Sequence, residues 1–269
     1  MSLKSKVRNL SLPEDKHIEA MARAGYAARA VVYGLVGIFA ILLTFQEGGA
    51  LTDTRGVLHR LMDQPFGKIL LGAVAIGLFF FSAWRALQAI QDYDKKGSSP
   101  KGIAVRVGYG LSAFTYAALG FNAVNLIFHL TRQSGGGEKE IAQSIMGQSS
   151  LFLGLIGLII VSVGFLQIYL AVKEKFKKSL DLPGAYQWLY SICKIGIAAR
   201  GVVFCLMGWL FVRAAWRTST SELDGLKGVW KLLAAQSYGS VLVGCMAFGL
   251  LAFSVYGFTQ AAYRKNFAG

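Results

Sequence analysis

The chain has 269 residues, of which 54% are hydrophobic and 16% charged, and its formal net charge is +14. Soluble domains carry about 25% charged residues, so this composition excludes an ordinary soluble domain and favours a membrane protein. The basic charge is compatible with contact to nucleic acid or to anionic lipid headgroups, and its distribution along the chain decides between them.

Six apolar stretches are each long enough, at about 20 residues per crossing, to span a bilayer as a helix. They predict an all-α, polytopic membrane protein. The N-terminal region lacks the features of a cleaved secretory signal, so the first span is expected to direct its own insertion. The predicted spans are Ala24–Phe45, Ile69–Ala89, Ile103–Phe128, Leu151–Val172, Ile195–Ala214 and Val241–Ala262.

Lysine and arginine are unevenly distributed about these spans. If the N-terminus is inside, cytoplasmic segments hold 19 of the 28 basic residues, whereas the 14 acidic residues divide evenly. Because basic residues near span ends set orientation, both termini are predicted to be cytoplasmic. The charge is then chiefly a topology signal that also meets anionic headgroups, and nucleic acid is not expected as a partner.

The spans repeat as three two-helix units. In chain order these are a cytoplasmic tail, 1–20, unit one, 21–94, unit two, 103–178, and unit three, 190–265. Because each unit holds an even number of spans, the copies run the same way across the membrane, as parallel-repeated hairpins in a pseudo-three-fold arrangement. Amphipathic stretches from Thr54, Glu138 and Leu226 predict short helices along the outer interface.

The repeat is carried by aligned positions. The first helices share two glycines, an Arg or Ser, and an aromatic residue, while the second helices share a glycine and a serine. The aligned sets are Gly25, Gly108 and Gly196; Gly37, Gly120 and Gly208; Arg29, Ser112 and Arg200; Tyr33, Tyr116 and Phe204; Gly77, Gly157 and Gly249; and Ser82, Ser162 and Ser254. Small residues let helices approach closely in lipid, so the glycines are predicted to be helix-packing residues.

These motifs, such as GYAARAVVYG from Gly25 and IGLFFFS from Ile76, resemble a bacterial membrane family catalogued as domain of unknown function 1206. The resemblance covers about Ala20 to Lys265. It implies six spans and a multi-pass protein of the bacterial inner, or cytoplasmic, membrane. It carries over no catalytic residue and no substrate.

Arg29 and Arg200 are charged residues within predicted spans, and such residues commonly mark function. Unit two has lost the arginine together with the aromatic and the amide of its second helix, where Gly164 and Ile168 replace them. We therefore expect Arg29 to lie near Trp84, Gln88 or Tyr33, and Arg200 to lie near Tyr256 or Gln260. The ligand or lipid-headgroup candidates are Arg29, Arg200, Arg23, Arg106, Lys194, Trp84, Gln88, Tyr256 and Gln260.

Two other interpretations of the arginines stay open. The side chain of Arg29 starts about 9 Å deeper than that of Arg23, at 1.5 Å per residue, and could extend back to the interface as a topology signal. Alternatively, the arginines could hydrogen-bond between helices without a ligand.

The chain lacks the residue sets of catalytic and cofactor sites. No carboxylate lies in the middle of a span, and the spacing of histidines and cysteines does not suit zinc. His59 and His129 are expected to be structural or surface residues rather than haem ligands. We therefore expect no enzyme, no metal and no cofactor. The leading prediction is a scaffold or accessory subunit of a larger membrane complex. The alternative is a channel or transporter for an anion or small polar solute.

Overall fold

The computed structural model describes residues 15–44, 54–128, 150–217 and 225–265. Over these residues the chain forms eight α-helices. They are α1 (Asp15–Thr44), α2 (Thr54–Met62), α3 (Gly67–Gln91), α4 (Pro100–Phe128), α5 (Ser150–Val172), α6 (Leu189–Arg217), α7 (Gly225–Ala234) and α8 (Gly239–Tyr263). Six of them, all except α2 and α7, are long and apolar enough to cross a membrane, which confirms the predicted six-span, all-α fold.

The two short helices confirm part of the predicted outer layer. Helix α2 packs against α1, α3 and α4, and α7 packs against α6 and α8. In α7, Val229 and Trp230 are fully buried, as its amphipathic pattern predicts. The equivalent helix predicted from Glu138 lies outside the described residues, as does His129.

The six long helices pack in an arc. The second helix of each unit packs against the first helix of the next, so α3 contacts α4, α5 contacts α6 and α8 contacts α1. Within units one and three, the two helices of the hairpin also pack together. Helices α4 and α5 of unit two make no comparable contact. The three-fold arrangement is therefore kept between units, and unit two departs from it because α4 and α5 stand apart over the described residues; we call the gap between them the cleft.

Glycines on the first helices show where unit two differs. A Cβ added at Gly25 would lie 2.5 Å from the backbone nitrogen of Phe81, and one at Gly196 would lie 2.3 Å from that of Phe253. These hairpins are thus closed backbone against backbone. Among the described residues, nothing lies within 4 Å of a Cβ at Gly108, the equivalent position in unit two. The prediction that Gly108 packs against a helix is therefore wrong.

Leu111 gives the physical reason for the open hairpin. In the closed hairpins, a Cβ at Gly77 would meet Ala28 at 2.3 Å and one at Gly249 would meet Ala199 at 2.4 Å, so each second-helix glycine fits against an alanine methyl. Unit two has Leu111 where those alanines stand, and its larger side chain is 65% exposed. The leucine is too large for the same close approach.

Helix α5 instead packs tightly on α6. A Cβ at Gly208 would lie 2.6 Å from the carbonyl of Gly157, and one at Gly201 would lie 2.8 Å from that of Gly164. Two pairs of glycines therefore bring these backbones together. The other predicted packing positions also contact neighbours, with Gly37 against Leu251 and Ala247, and Gly120 against the ring of Phe79.

The aligned serines report the same difference. Ser82 donates a hydrogen bond to the Ala113 carbonyl on α4, and Ser254 donates one to the Ala30 carbonyl on α1, both at 2.7 Å. These bonds cross between units. Ser162 donates to Leu158 of its own helix, so the third equivalent bond is replaced by the contact between glycines.

Candidate anion site

Arg29 lies inside the bundle. Its side chain projects from α1, and the residue is 3% exposed. Its Nη2 donates a hydrogen bond of 2.9 Å to Oε1 of Gln260 on α8. The charged group is therefore held by a neutral amide and does not reach toward the bilayer surface.

Aromatic rings complete the surroundings of Arg29. Its guanidinium carbon lies 4.8 Å from the ring centroid of Phe81, 5.2 Å from that of Phe253 and 5.3 Å from that of Tyr26. Each ring face is attractive to a cation, by about 0.5–2 kcal/mol. The rings lower the cost of the charge without neutralising it.

Arg200 occupies the equivalent place on α6. Its guanidinium carbon lies 4.8 Å from the rings of Phe204 and Phe253 and 5.8 Å from that of Tyr33. The Tyr33 hydroxyl is also hydrogen-bonded to Arg200 and to Tyr116 of α4. Phe253 therefore lies between the two arginines, and residues from all three units meet at this point.

Each arginine contacts rings of its own unit, but its polar partner belongs to another unit. Arg29 of unit one takes the amide of unit three, and Arg200 of unit three takes the tyrosine of unit one. The reason is that α8 packs against α1, which places the end of unit three beside the start of unit one.

We call the cluster of side chains formed by Arg29, Arg200, Tyr33, Tyr116 and Phe204 the chamber. These side chains come from equivalent positions on the first helices of the three units. Arg29 is buried, but the other four are only half-buried, although they lie mid-helix. The Arg200 side of the chamber is therefore accessible, whereas the Arg29 side is closed by the fully buried rings of Tyr26 and Phe81.

The positive charge of the chamber has no acidic partner within the spans. Asp15 and Glu19, at the start of α1, are the sole acidic residues in the six long helices. The Nε atoms of Arg29 and Arg200 are buried and have no hydrogen-bond partner among the described residues. Such unsatisfied charge is costly in a membrane protein. The chamber thus offers cationic donors to an anion.

Arg85 is a third cation beside the chamber, and the sequence reasoning missed it. Its guanidinium lies 5.0 Å from the ring of Phe81 and 4.9 Å from that of Tyr109, and its Nη1 donates to Gln88 at 3.1 Å. A charged residue next to Trp84 in the second predicted span was the available signal. Phe81 separates Arg85 from Arg29, so the two guanidinium groups share one ring.

Asp94 and Arg264 form an ion pair near the ends of α3 and α8. The Arg264 Nη2 lies 2.8 Å from Oδ1 of Asp94, and the two side chains are 8% and 15% exposed. Asp94 also accepts hydrogen bonds from Tyr109 at 2.6 Å and Gln88 at 3.1 Å. Burial alone raises the pKa of the Asp94 carboxyl, but Arg264 and these donors outweigh it and hold that pKa below its ordinary value.

Trp84 and Gln88 belong to this ion-pair network and not to the surroundings of Arg29. Trp84 Nε1 lies 3.3 Å from the Tyr26 hydroxyl, which also accepts a hydrogen bond from Arg264. Tyr256 packs on the rings of Phe176 and Phe253. Of the four predicted aromatic and amide candidates, the structure therefore brings Gln260 alone onto Arg29 through a hydrogen bond.

Helix packing explains why unit two lost its aromatic and amide. A Cβ at Gly164 would meet Cys205 at 2.6 Å and the carbonyl of Gly201 at 2.7 Å, and Ile168 also contacts Gly201. A tryptophan at 164 would separate α5 from α6. The joint loss thus follows from the tight α5 and α6 pair and needs no lost ligand.

Arg23 and Arg106 bind helix ends. Each donates to two carbonyls in the last turn of the preceding unit's second helix, α8 for Arg23 and α3 for Arg106. The acceptors are Ala261 at 2.5 Å, Ala262 at 2.7 Å, Ala89 at 2.8 Å and Ile90 at 2.9 Å. Cations at helix C-termini satisfy unpaired carbonyls and complement the dipole. These two candidates therefore fasten one unit to the next.

Lys194, the third member of this set, binds Glu174 instead. Its Nζ lies 3.2 Å from Oε1 of Glu174, which also pairs with Lys177 at 2.5 Å. Hydrogen bonds from Lys177 and Lys194 hold the pKa of the Glu174 carboxyl below its ordinary value. Both arrangements lie at the end of the bundle where linkers join the units, called the linker end below.

Comparison with known proteins identifies the family. The family described as Domain of Unknown Function (DUF1206) matches three segments, residues 24–92, 107–174 and 195–264. The chain belongs to this family. It is also 28% identical over 255 residues to "Uncharacterized protein YxxB" of Bacillus subtilis (strain 168), an alignment covering 92% of this chain and 91% of that protein. No solved structure matches the chain.

Proposed function

We propose that this multi-pass membrane protein is non-enzymatic and binds an anion within its helix bundle, as a channel or transporter for that anion or a similar small polar solute. The main support is the chamber, where Arg29 and Arg200 share Phe253 as a neighbour and have no carboxylate partner in the spans. The anion would supply the missing negative charge.

The cost of the charges supports a ligand over a purely structural role. An arginine at the centre of a span costs about 2.5–3.5 kcal/mol in insertion measurements. One amide hydrogen bond and several ring contacts offset part of this for Arg29. Two such residues facing one another add mutual repulsion, which a bound anion would convert into attraction.

The orientation would put the site nearer the cytoplasmic face of the membrane. Arg23 and Arg106 fasten the linker end of the bundle, where basic residues concentrate. Because basic residues are retained on the cytoplasmic side, we place the linker end and both termini in the cytoplasm of a bacterium, with the helices in its inner membrane. Anionic headgroups of the bilayer would then lie beside that end.

Binding of a small anion to purified protein tests this proposal. Wild-type protein in mild detergent is expected to bind labelled inorganic phosphate or chloride, and the double variant Arg29→Gln with Arg200→Gln is expected to lose that binding. Lys101→Gln removes an exposed charge at the linker end of α4 and is the matched control. Equal binding by all three proteins, or no binding by wild type, would overturn the proposal.

A scaffold or accessory subunit is the second candidate. Its specific support is unit two. In α4 and in α5, 17% of the residues of an 18-residue apolar stretch are buried, against 39–44% in the other four spans. Extensive exposed apolar surface is also what a partner's helices would cover. A stoichiometric membrane-protein partner retained during purification in mild detergent would favour this role; a chain isolated alone would count against it.

A further inference from the structure

We propose that the anion is the headgroup phosphate of an anionic membrane lipid, which enters the chamber sideways from the bilayer through the cleft between α4 and α5. This inference rests on the proposed anion site and assigns its ligand class. It joins two independent observations, the open hairpin of unit two and the half-buried cations and tyrosines behind it.

The cleft is open at the level of the bilayer. Over the part of the chain that the structure describes, nothing lies within 4 Å of a Cβ at Gly108, whereas the equivalent Gly25 and Gly196 are covered by the backbone of a helix. Val107 and Leu111 beside it are 56% and 65% exposed. In a bilayer, a lipid acyl chain would occupy an apolar cleft of this kind.

The inner end of the opening is polar and cationic. Tyr116 of α4 is half-buried and shares a hydrogen bond with Tyr33, which also shares one with Arg200. Arg200 is itself half-buried, and its buried Nε has no partner among the described residues. The chamber is closed on the opposite side by the buried rings around Arg29. Access from unit two therefore leads to the more exposed of the two arginines.

An amphiphile fits both surfaces at once. Its phosphate would bind the guanidinium groups and the tyrosine hydroxyls, while its chains would stay in the cleft and the bilayer. Exposed Lys173 lies at the linker end of α5, and it would attract the same headgroup before it enters. A free anion matches the chamber but gives no reason for a lateral apolar opening.

The depth of the site fits a lipid drawn out of its leaflet. Arg200 stands six residues beyond Lys194, about 9 Å further along the helix at 1.5 Å per residue. A headgroup bound there would lie well below the interface. A protein that moves lipid headgroups through the membrane needs a binding site at such a depth. The substrate of the proposed transporter would then be a lipid.

Competition between lipid and phosphate tests the inference. Phosphatidylglycerol added in detergent is expected to displace labelled inorganic phosphate from wild-type protein, and phosphatidylcholine to be at least about tenfold weaker, the effect of one contact of 1.4 kcal/mol. In Gly108→Trp, which fills the cleft where nothing lies within 4 Å, phosphate should still bind but phosphatidylglycerol should no longer displace it. Ala83→Trp, at an exposed position on α3, is the control and should behave as wild type.

The outcomes separate this inference from the proposed function. If phosphate binding depends on Arg29 and Arg200 but phosphatidylglycerol does not compete, the anion site stands and the lipid ligand is wrong. If phosphatidylglycerol competes equally well in Gly108→Trp, the lateral entry is wrong. If phosphate binding does not depend on the arginines, the proposed function itself fails.

Discussion

Arg29 in the first helix and Gln260 in the last are joined by a buried hydrogen bond of 2.9 Å. The bond closes unit three onto unit one, 231 residues apart in sequence. The same contact between units recurs as the bonds of Ser82 to α4 and Ser254 to α1. A cationic interior is thus built where the chain's beginning meets its end.

The three equivalent glycines provide a test of the open hairpin. We predict that Gly25→Leu and Gly196→Leu each destabilise the protein by about 1–3 kcal/mol, because a leucine must separate two backbones in contact. Gly108→Leu is expected to change stability by less than about 0.5 kcal/mol, as at a position without close neighbours. Reversible unfolding in detergent measures all three, and equal losses would contradict the cleft.

The aligned serines give a second internal comparison. Ser82→Ala and Ser254→Ala each remove a hydrogen bond between helices, at an expected cost of about 0.6–1.7 kcal/mol. Ser162→Ala removes a bond within its own helix and should have no measurable effect. The same unfolding assay applies, and a cost at Ser162 comparable to the other two would show that α5 packs as its counterparts do.

The ion pair of Asp94 and Arg264 is predicted to stabilise the linker end. Asp94→Asn leaves the buried guanidinium of Arg264 without its carboxylate, so we expect a loss of about 3–5 kcal/mol. Asp181→Asn breaks the exposed pair with Lys265, whose side chains are 75% and 45% exposed, and should cost less than about 1 kcal/mol. Unfolding of the two variants at neutral pH makes the comparison.

The contribution of Asp94 also has a defined pH dependence. Its pKa is lower in the folded protein than in the unfolded chain, where it is about 3.9. The stabilisation is therefore complete above the unfolded value and is lost as pH falls through the lower folded value. The difference in stability between wild type and Asp94→Asn should stay constant from pH 6 upward, about two units above that unfolded value, and shrink on acidification below about pH 4. A difference that grew on acidification would contradict the assigned pKa direction.

Hydropathy and the repeat were sufficient to predict the six spans and the three units. Apolar stretches and repeated motifs can both be seen directly in the order of residues along the chain. The cross-unit partners were not predictable in this way. Aligned positions such as Arg29 and Arg200 show which residues are equivalent, but they do not show that each second helix packs on the following unit. The pairing of Arg29 with Gln260 follows from that packing.

The residues that open the hairpin of unit two are visible in the sequence, but the structure is needed to interpret them. Leu111 in place of an alanine, and Gly164 in place of an aromatic, are visible in the alignment of the units. Their effect depends on which helix each residue faces: Leu111 replaces the contact surface of a hairpin, while Gly164 permits the approach of α6. The loss of three polar or aromatic groups together therefore reflects a change of packing partner.

Thermal unfolding of Arg29→Gln, with and without anion, tests the anion site most directly. If the charge serves a ligand, the anion-free variant should be about as stable as wild type, because the loss of the Gln260 hydrogen bond is offset by removal of a buried charge that has no carboxylate partner in the spans. Added phosphate or phosphatidylglycerol should then stabilise wild type and not the variant. A variant strongly destabilised without anion, beside a wild type that no anion stabilises, would show that Arg29 is a structural residue and contradict the site.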